Sequence, residues 1–390
     1  MISPGFVSRI IDSYGTPTFV FDEDEVSSRA KKIRDMLGGI PLCYSVKANP
    51  FLVPALIPIV RYFEVCSPGE LQICKSLNVP PEKIIYSGVN KGPGDIEDAL
   101  GYNVAIITAE SIRQWTLICE AAKKLDAHPD VILRLTSNNQ FGMSVEDIRS
   151  ILSAPSGAAN ITGLHYFAGT GRKQNKKREE ELDMLCELIR GLRSEYALSL
   201  PMLEYGPGLP FPYFEGDDLT DTLAPFTELV NSFEKIPQDI TLSVEMGRFI
   251  ASSCGYYITS VCDIKNSKDA RWCIIDGGIN HINYLGQMMG MKTPVIRHFR
   301  DGRMLDDKDK KAYCVCGSLC TTNDVVVREL PLCDLRIGDI LMFMNIGAYS
   351  VTESLGLFLS RTLPRVVMLR DDTARLVRDS IETWKINSFS

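Results

Sequence analysis

Lys47 ends an apolar run in the segment YSVKANP, where its amine could take part in covalent chemistry. A lysine at the end of a buried strand often does no more than extend its ammonium group into solvent. An amine that loses its hydration becomes neutral instead, and it can then form a Schiff base with a carbonyl group. The polar segments elsewhere in the chain favour the second interpretation.

Two later segments combine glycine with charge, EYGPG at 204–208 and VEMGR at 244–248. Glycines in the first would let backbone N–H groups approach a phosphate, although Gly-Pro-Gly also forms an ordinary turn. Arg248 in the second could hold a phosphate with two hydrogen bonds. The Glu245 carboxylate could keep a pyridine nitrogen protonated, which turns the ring into an electron sink. The pattern indicates a site for a phosphorylated ring cofactor.

The elements that position these residues alternate along the first 250 residues. Amphipathic stretches such as REEELDMLCELIRGLRSEY, with apolar residues three and four apart, separate short β-rich runs. Eight strands are predicted, at 42–47, 62–66, 83–87, 103–108, 131–135, 161–167, 202–206 and 241–245. They predict a (β/α)8 TIM barrel, whose active residues follow the C-terminal strand ends. An open doubly wound sheet is the alternative, but no G-x-G-x-x-G turn follows the first strand.

A second domain is predicted from about residue 250 onward. Short β-rich segments such as SCGYYITSVCDIK, KAYCVCGSLC and GDILMFMNIGAY follow one another there, separated by Gly, Asp and Pro. The N-terminal PTFVFDEDEV is also typical of a strand. We therefore predict a barrel over 24–250 and a β-sandwich or β-barrel domain built from 1–23 and 251–390.

Charge and composition exclude several classes of protein. The net charge is −7 and the sequence has no basic stripe, so we do not expect it to bind nucleic acid. The sequence contains no run of about 18 apolar residues, so we predict no membrane span. The first residues do not resemble a signal peptide, so we expect a cytoplasmic protein with reduced cysteines. Alternation along a strand would place Cys314 and Cys316 on one face, but four histidines and no paired C-x-x-C motif make us expect no metal site.

Six ordered segments resemble the fold-type III decarboxylases that use pyridoxal 5′-phosphate (PLP), the diaminopimelate and ornithine decarboxylase family. The resemblance spans nearly the whole chain and rests on YSVKANP, EVCSPGEL, YGPGLPFPY, VEMGR, GSLCTTND and GAYS. It implies that Lys47 carries PLP as an internal aldimine and that Glu245 faces the pyridine nitrogen. The other cofactor-binding residues that it implies are Glu70, Arg134, His165, Phe167, Thr170, Gly206, Gly208, Gly247, Arg248 and Tyr349.

The resemblance also implies a homodimer, because catalytic Cys320 would enter the active site of the other subunit. Three departures from the family pattern concern the substrate. Phe167 replaces a histidine that stacks on the ring, Thr321 replaces an acid that binds a distal amine, and His281 lies in an altered substrate segment. The methionine-rich segment 284–292 would line the entrance or pack in the core.

These departures resemble a specialised-biosynthesis branch and favour α-decarboxylation of a carrier-linked or siderophore- or antibiotic-type intermediate. Diaminopimelate decarboxylation in lysine biosynthesis is an alternative. An amino-acid racemase would share the barrel and lysine but would need a base on the opposite face. A non-enzymatic PLP carrier is disfavoured, because Cys320 and Tyr349 belong to an additional β domain.

Overall fold

A computed structural model describes residues 3–268, 270–284, 290–306 and 309–389. The chain divides into two compact units. The barrel unit consists of Ser27–Phe211 and Thr220–Ile250, and the β unit of Met1–Val26, Pro212–Leu219 and Ala251–Ser390. The short segment Pro212–Leu219, which lies inside the predicted barrel range, thus groups with the β unit. The exact domain boundaries stay a prediction.

The barrel unit contains eight parallel strands that form a closed barrel. With strands numbered along the whole chain, they are β2 (Leu42–Ser45), β3 (Tyr62–Val65), β4 (Ile84–Tyr86), β5 (Ile106–Ala109), β6 (Asp130–Arg134), β7 (Asn160–Phe167), β8 (Met202–Gly206) and β9 (Thr241–Met246). The accompanying helices are α2 (Glu23–Met36), α3 (Val53–Leu56), α4 (Pro68–Ser76), α5 (Pro93–Gly101), α6 (Ile112–Leu125), α7 (Val145–Ser153), α8 (Asn175–Tyr196), α9 (Ala224–Phe233) and α10 (Arg248–Ala251). The closed barrel excludes the open sheet.

Local sequence explains why strands and helices alternate. Strands such as β2 and β5 are buried along their whole length, which suits their continuous apolar runs. Ser67, Ser111 and Ser144 precede α4, α6 and α7, and each side chain accepts a hydrogen bond from a backbone N–H in the first turn. A layer of apolar side chains fills one level of the barrel interior, contributed by Cys43, Ile85, Ile106, Ile132 and Met202.

The β unit is a mostly antiparallel ten-stranded sheet structure. Its strands are β1 (Thr18–Asp22), β10 (Gly255–Asn266), β11 (Arg271–Ile275), β12 (Ile296–Arg300), β13 (Arg303–Leu305), β14 (Lys311–Cys316), β15 (Val325–Leu332), β16 (Ile340–Phe343), β17 (Arg365–Arg370) and β18 (Thr373–Arg378). The described residues of this unit also form the helices α1 (Pro4–Tyr14) and α11 (Ser350–Glu353).

The long strand β10 joins two parts of this sheet. Its first half pairs with β1 and β16, and its second half pairs with β11 after a register shift between Val261 and Asp263. The first part continues in the order β13-β12-β16-β10-β1-β17-β18, whereas the second continues through β11, β14 and β15. Helix α1 covers the first part with Phe6, Val7 and Ile10, which pack in one apolar cluster with the sheet.

The predicted fold class is confirmed, with local corrections. The first barrel strand ends at Ser45, so Lys47 lies beyond it. The predicted N-terminal strand ends at Asp22, and the rest of the acidic DEDEV stretch forms the start of α2. Helix α1 and strands β12, β13 and β18 were not predicted. Residues 285–289 of the methionine-rich segment lie outside the described residues. In the part of the chain that the structure describes, no helix is long and apolar enough to cross a membrane.

Candidate active site

Lys47 lies just past the end of β2, on a 3₁₀ turn formed by Val46–Ala48. Its Nζ is 2.8 Å from Oε2 of Glu64 and 3.8 Å from Oε1 of Glu245. The Lys47 side chain is 38% exposed, while those of Glu64 and Glu245 are 2% and 6% exposed. The C-terminal end of the barrel therefore presents an accessible amine above two buried carboxyl groups.

Cys66 completes a triangle with Lys47 and Glu64. Its thiol donates to Oε1 of Glu64 at 3.1 Å and accepts from Nζ of Lys47 at 3.4 Å. Pairing of Ser45 with Glu64 between β2 and β3 brings these groups together. Burial, followed by the charge of Glu64, raises the pKa of Cys66 well above its ordinary value. The thiol therefore stays protonated and holds one oxygen of Glu64, leaving the other directed at Lys47.

Glu245 is held by neighbours on two strands. Its Oε1 accepts a hydrogen bond from Oγ of Ser45 at 2.8 Å, and its Oε2 lies 3.1 Å from Nε2 of His165. Burial opposes its ionisation, but the Lys47 ammonium and the His165 hydrogen bond outweigh burial and keep the pKa of Glu245 below its ordinary value. Glu245 is therefore a fixed, ionised carboxylate beside the lysine.

A third buried carboxyl group of the barrel, that of Glu204 on β8, has a character opposite to that of Glu245. It is fully buried, and the thiol of Cys43 is its side-chain hydrogen-bond partner. Burial, followed by the negative charges of Glu245 and Glu64, raises its pKa well above the ordinary value. The barrel thus contains one protonated and one ionised glutamate, a separation of states typical of sites that handle protons.

Glycines at the end of β8 allow close approach of neighbouring groups. A Cβ on Gly206 would lie 2.5 Å from Cδ2 of Phe167, and one on Gly208 would lie 1.7 Å from the carbonyl oxygen of Gly169. Gly208 also has a φ of +60°, a backbone conformation that glycine adopts without strain. Thr170 follows Gly169 and is exposed. These glycines leave open a backbone cradle beside the Phe167 ring.

Gly247 likewise allows close approach of neighbouring groups at the end of β9. A Cβ there would lie 2.8 Å from Cβ of Ala48 and 3.1 Å from Cβ of Ser45. The turn that leads into Arg248 therefore packs directly on the segment that carries Lys47. The predicted phosphate arginine and the predicted cofactor lysine are in this way fixed to one end of the barrel.

Arg134 and Glu70 lie at two further strand ends and contact protein groups. Nη1 of Arg134 is 2.8 Å from Oε1 of Glu110, and both side chains are buried. Glu70 lies in the first turn of α4, and its Oε2 accepts the backbone N–H of Cys66 at 2.7 Å. This hydrogen bond links the turn between β3 and α4 to the first turn of α4. The cofactor-binding roles of Arg134 and Glu70 remain predictions.

The four remaining predicted residues belong to the β unit. Cys320 is exposed and Thr321 is partly exposed, in the loop between β14 and β15. Both ring nitrogens of His281, which is 2% exposed, have partners inside the β unit: Nδ1 is 2.8 Å from the Tyr257 hydroxyl and Nε2 is 3.2 Å from the carbonyl of Thr362. Tyr349 has a φ of +67° and precedes α11. The substrate, catalytic and phosphate roles of these residues stay predictions.

Sequence reasoning named no role for five polar side chains that shape the barrel site: Ser45, Glu64, Cys66, Glu110 and Glu204. One signal was available. Glu64 and Glu204 each interrupt an otherwise apolar strand, in YFEVC and MLEYG. A carboxyl group inside a buried strand requires a partner or a shifted pKa, which marks it as a candidate site residue. Cys66 carried no such signal, because most cysteines of this chain are buried.

The barrel residues fit PLP. An accessible lysine amine, a fixed ionised carboxylate and a glycine cradle are the groups that a pyridine aldehyde bearing a phosphate requires. Nδ1 of buried His165 has no hydrogen-bond partner in the described chain, so a polar group could be accommodated there. Among the described residues, no three His, Cys, Asp or Glu side chains are grouped to hold a metal ion.

A barrel with a lysine after its first strand and glycine turns after its last two defines a PLP-binding barrel enzyme. Residues 23–252 match the family model described as pyridoxal-dependent decarboxylase, pyridoxal binding domain. The match covers more than half of the chain, so the chain belongs to the pyridoxal-dependent decarboxylases. The predicted cofactor and the predicted class of PLP-dependent carboxy-lyase are confirmed.

Individual relatives are more distant. The chain is 24% identical to diaminopimelate decarboxylase of Methanocaldococcus jannaschii, over 95% of this chain and 90% of that one. It is also 24% identical to L-glutamyl-[BtrI acyl-carrier protein] decarboxylase of Niallia circulans, over 95% and 93%. The crystal structure of diaminopimelate decarboxylase from Helicobacter pylori complexed with L-lysine matches with a TM-score of 0.85 and 20% identity, covering 98% and 99% of the chains. These likenesses support the fold and an amino-acid decarboxylase, and they leave the substrate open.

Proposed function

We propose that this decarboxylase acts on a modified amino acid, in particular one linked to a carrier protein, and not on a free diamino acid. The observation that carries the proposal is the chemistry of the loop after β14. Thr321 follows Cys320 and offers a hydroxyl and a methyl group where an acid would bind a distal ammonium group.

Asp324, the acid nearest to Thr321 in the sequence of this loop, already accepts hydrogen bonds from backbone N–H groups. Asp324 is 2% exposed, its Oδ1 accepts the N–H of Ile279 at 2.9 Å, and its Oδ2 accepts the N–H of Leu319 at 2.8 Å. A buried carboxylate that joins its loop to the segment after β11 in this way has no oxygen directed outward for a substrate amine. A diamino acid would therefore lose the charge-assisted hydrogen bond that discriminates strongly in a partly dry site.

The barrel residues would share the work of the reaction. Lys47 would hold the cofactor covalently, with Glu64 and Cys66 orienting its amine. Glu245, ionised and fixed by Ser45, would keep a proton on the facing ring nitrogen. When bound, PLP supplies a ring that accepts the electrons of the Cα–carboxylate bond. Lys47, or Cys320 supplied by the other subunit of the predicted homodimer, would then deliver the proton to Cα.

The activities of the relatives do not separate the candidate substrates. The diaminopimelate decarboxylase of Methanocaldococcus jannaschii and the carrier-linked glutamyl decarboxylase of Niallia circulans are equally similar to this chain. The residues of the Cys320 loop therefore give better evidence on the substrate than the relatives do. A thioester-linked aminoacyl group has no need of an acidic partner for a distal amine.

Released carbon dioxide tests the proposal directly. Purified enzyme would be given meso-diaminopimelate, L-lysine, L-ornithine, L-glutamate and L-glutamyl thioester on an acyl-carrier protein, with Lys47→Ala as the blank. We expect the carrier-linked substrate to be decarboxylated most efficiently. A kcat/KM of about 10⁴ M⁻¹s⁻¹ or more for diaminopimelate would contradict the proposal, because that value lies in the usual range for a true substrate.

Substitution of Thr321 separates loop chemistry from overall activity. Thr321→Glu should raise kcat/KM for free diamino acids relative to L-glutamate, because it restores a charged partner for the distal amine. Thr322→Glu adds the same charge one residue later and serves as the matched control. Equal responses of the two variants would show that Thr321 does not contact the substrate side chain.

A further inference from the structure

Two thiols in the β unit lie against each other outside the barrel site. Sγ of Cys314 is 3.8 Å from Sγ of Cys316, since alternate residues of β14 share a face. Both cysteines are partly exposed. Trp272 and Ile274 of β11 are their cross-strand neighbours, and Trp272 is 37% exposed. The pair thus forms a dithiol on a face that solvent reaches.

We propose that Cys314 and Cys316 are a covalent modification site, at which a low-molecular-weight disulfide converts the two thiols into an intrachain disulfide. Neither cysteine has a part in the decarboxylation argued above. The site is defined by the contact between the two sulfur atoms and by their shared, partly exposed face.

Backbone geometry permits the bond. Residues two apart in a strand have Cα atoms about 6.4–6.8 Å apart, and disulfides span Cα separations of up to about 6.8 Å. The pairing of β14 with β15 shifts register between Tyr313 and Val315 and again before Cys316, so this strand already departs from regular geometry. Both side chains lie on the same face with their sulfur atoms 3.8 Å apart, and side-chain rotation would supply the remaining approach.

The exchange balances in two steps. The Cys314 thiolate attacks one sulfur of the small disulfide and expels a thiolate, which takes up a proton. Cys316 then loses its proton and attacks the Cys314 sulfur of the mixed disulfide, which expels the second small thiol. The protein pair is oxidised by two electrons, and the small disulfide is reduced to two thiols. No further oxidant is needed.

The charge of Cys314 affects how readily Cys316 takes part in the second step. Burial, followed by the negative charge of Cys314, raises the pKa of Cys316 to about 12. The mixed disulfide removes the charge of Cys314 and with it that part of the upward shift, so Cys316 loses its proton more readily in the second step. Cys273 pairs with Val315 and is fully buried, so it lies on the other face of the sheet. Cys273 therefore takes no part in the exchange.

The bond would alter the loop that begins at the next residue. A Cβ on Gly317 would lie 2.4 Å from both Oδ2 of Asp324 and Cα of Gly278, so its backbone has little room to shift. The N–H of Gly317 donates to the carbonyl of Asp324 at 3.1 Å, and that of Ser318 to Gly277 at 2.7 Å. Drawing Cys316 toward Cys314 would strain these hydrogen bonds and loosen residues 317–324.

Peptide mapping of the purified full chain tests the proposal without reference to its activity. Reduced protein would be incubated with oxidised glutathione, quenched with an alkylating reagent and digested with trypsin without reduction. Most chains should yield a peptide of residues 312–328 that has lost two hydrogen atoms, with Cys320 alkylated and fragmentation placing the bond at Cys314 and Cys316. Amide hydrogen exchange at 317–319 should be faster in the oxidised protein.

Single variants distinguish this site from general thiol reactivity. Cys314→Ser and Cys316→Ser should stop at a mixed disulfide or remain unmodified. Cys262→Ser, at an exposed cysteine of the same unit, should behave as the unsubstituted protein. A bond between Cys316 and Cys320, stable glutathione on either cysteine of the unsubstituted chain, or unreacted thiols would each overturn the proposal. None of these outcomes depends on which substrate the enzyme decarboxylates.

Discussion

Glu245 and Glu204 offer a test of what an ionised carboxylate contributes to the barrel. Glu245→Gln removes the charge and keeps the shape, so PLP should still load onto Lys47. The turnover number should fall by roughly 10²-fold or more, because the ring nitrogen loses the partner that keeps it protonated. Steady-state kinetics measure the loss, and borohydride reduction followed by peptide mapping checks that PLP is on Lys47.

Glu204→Gln is the matched control for that experiment. Burial raises the pKa of Glu204, so its carboxyl group is already neutral and an amide changes no charge. We expect turnover close to that of the unsubstituted enzyme. Equal losses in the two variants would show that shape, and not the charge of Glu245, is what the reaction needs.

Lys91 gives the barrel a pH-dependent stability. It is 4% exposed, and its Nζ donates to the carbonyl of Gly88. Burial lowers its pKa to about 8, although the charge of Glu110 opposes the shift. Between about pH 8 and the ordinary value of 10.5, the unfolded chain holds a proton that the folded chain lacks. Stability from this group therefore rises with pH across that window.

Urea unfolding of Lys91→Met can detect this effect. From pH 8 to 10 the unsubstituted protein should gain up to about 1.4 kcal/mol per pH unit relative to the variant, because only the former titrates Lys91. Lys176→Met, whose parent side chain is 87% exposed, should show a parallel curve. A constant difference between Lys91→Met and the unsubstituted protein would mean that Lys91 titrates as an ordinary lysine.

Packing of the β9–α10 turn against the β2 end makes Gly247 sensitive to a single methyl group. Gly247→Ala should destabilise the barrel by about 1–3 kcal/mol, because the new Cβ meets Ala48 and Ser45. PLP affinity should fall with it, as the turn moves away from Lys47. Urea unfolding and PLP titration measure both effects.

Gly191 in α8 provides the control for this substitution. A Cβ there meets nothing within 4 Å, so Gly191→Ala should stabilise the helix by about 0.5–1 kcal/mol and leave PLP binding unchanged. If Gly247→Ala behaved like Gly191→Ala, the close packing at the β2 end would not constrain the cofactor site.

The barrel elements were predictable because their patterns are local. A buried parallel strand requires a continuous apolar run, and each amphipathic helix shows its own periodicity. Edge elements of the β unit gave weaker signals. Strand β13 has only three residues, and β18, with the sequence TARLVR, has no buried residue and mixes polar with apolar side chains. Helix α1 was missed although Ser3 caps it and Pro4 follows, a recognisable helix start.

Individual site contacts were harder to predict than elements. Lys47, Glu245 and His165 were identified from motifs, and the structure brings them together. The triangle of Lys47, Glu64 and Cys66 depends on the register of β2 and β3, which pairs Ser45 with Glu64. Strand register is a property of the closed barrel and has no local signature in the chain. The opposite protonation states of Glu204 and Glu245 also depend on contacts between strands and have no local signature in the chain.

The predicted homodimer can be tested by mixing two inactive variants, Lys47→Ala and Cys320→Ala. If each site takes its lysine from one subunit and its cysteine from the other, a mixed dimer carries one intact site. Random exchange should then restore roughly a quarter of the full activity, since half the dimers are mixed and each has one working site.

Subunit exchange must be shown separately, for example by native mass spectrometry of differently tagged chains. Exchange without recovery of activity would contradict a shared site. Recovery after mixing Lys47→Ala with Glu245→Gln would contradict it too, because both residues belong to one barrel and no mixed dimer would then hold a complete site.

Strand β1 sets the order in which the chain can fold during synthesis. It lies between β10 and β17, pairing Thr18 with Ile258 on one side and with Arg365 on the other. The barrel strands are complete once the ribosome has passed residue 246, whereas β1 gains its second neighbour only near the end of translation. Four of its five residues are buried in the finished protein, so until then the nascent chain carries an apolar strand with at least one edge unpaired. Chains released between residues 250 and 365 should therefore hold a formed barrel and aggregate through β1.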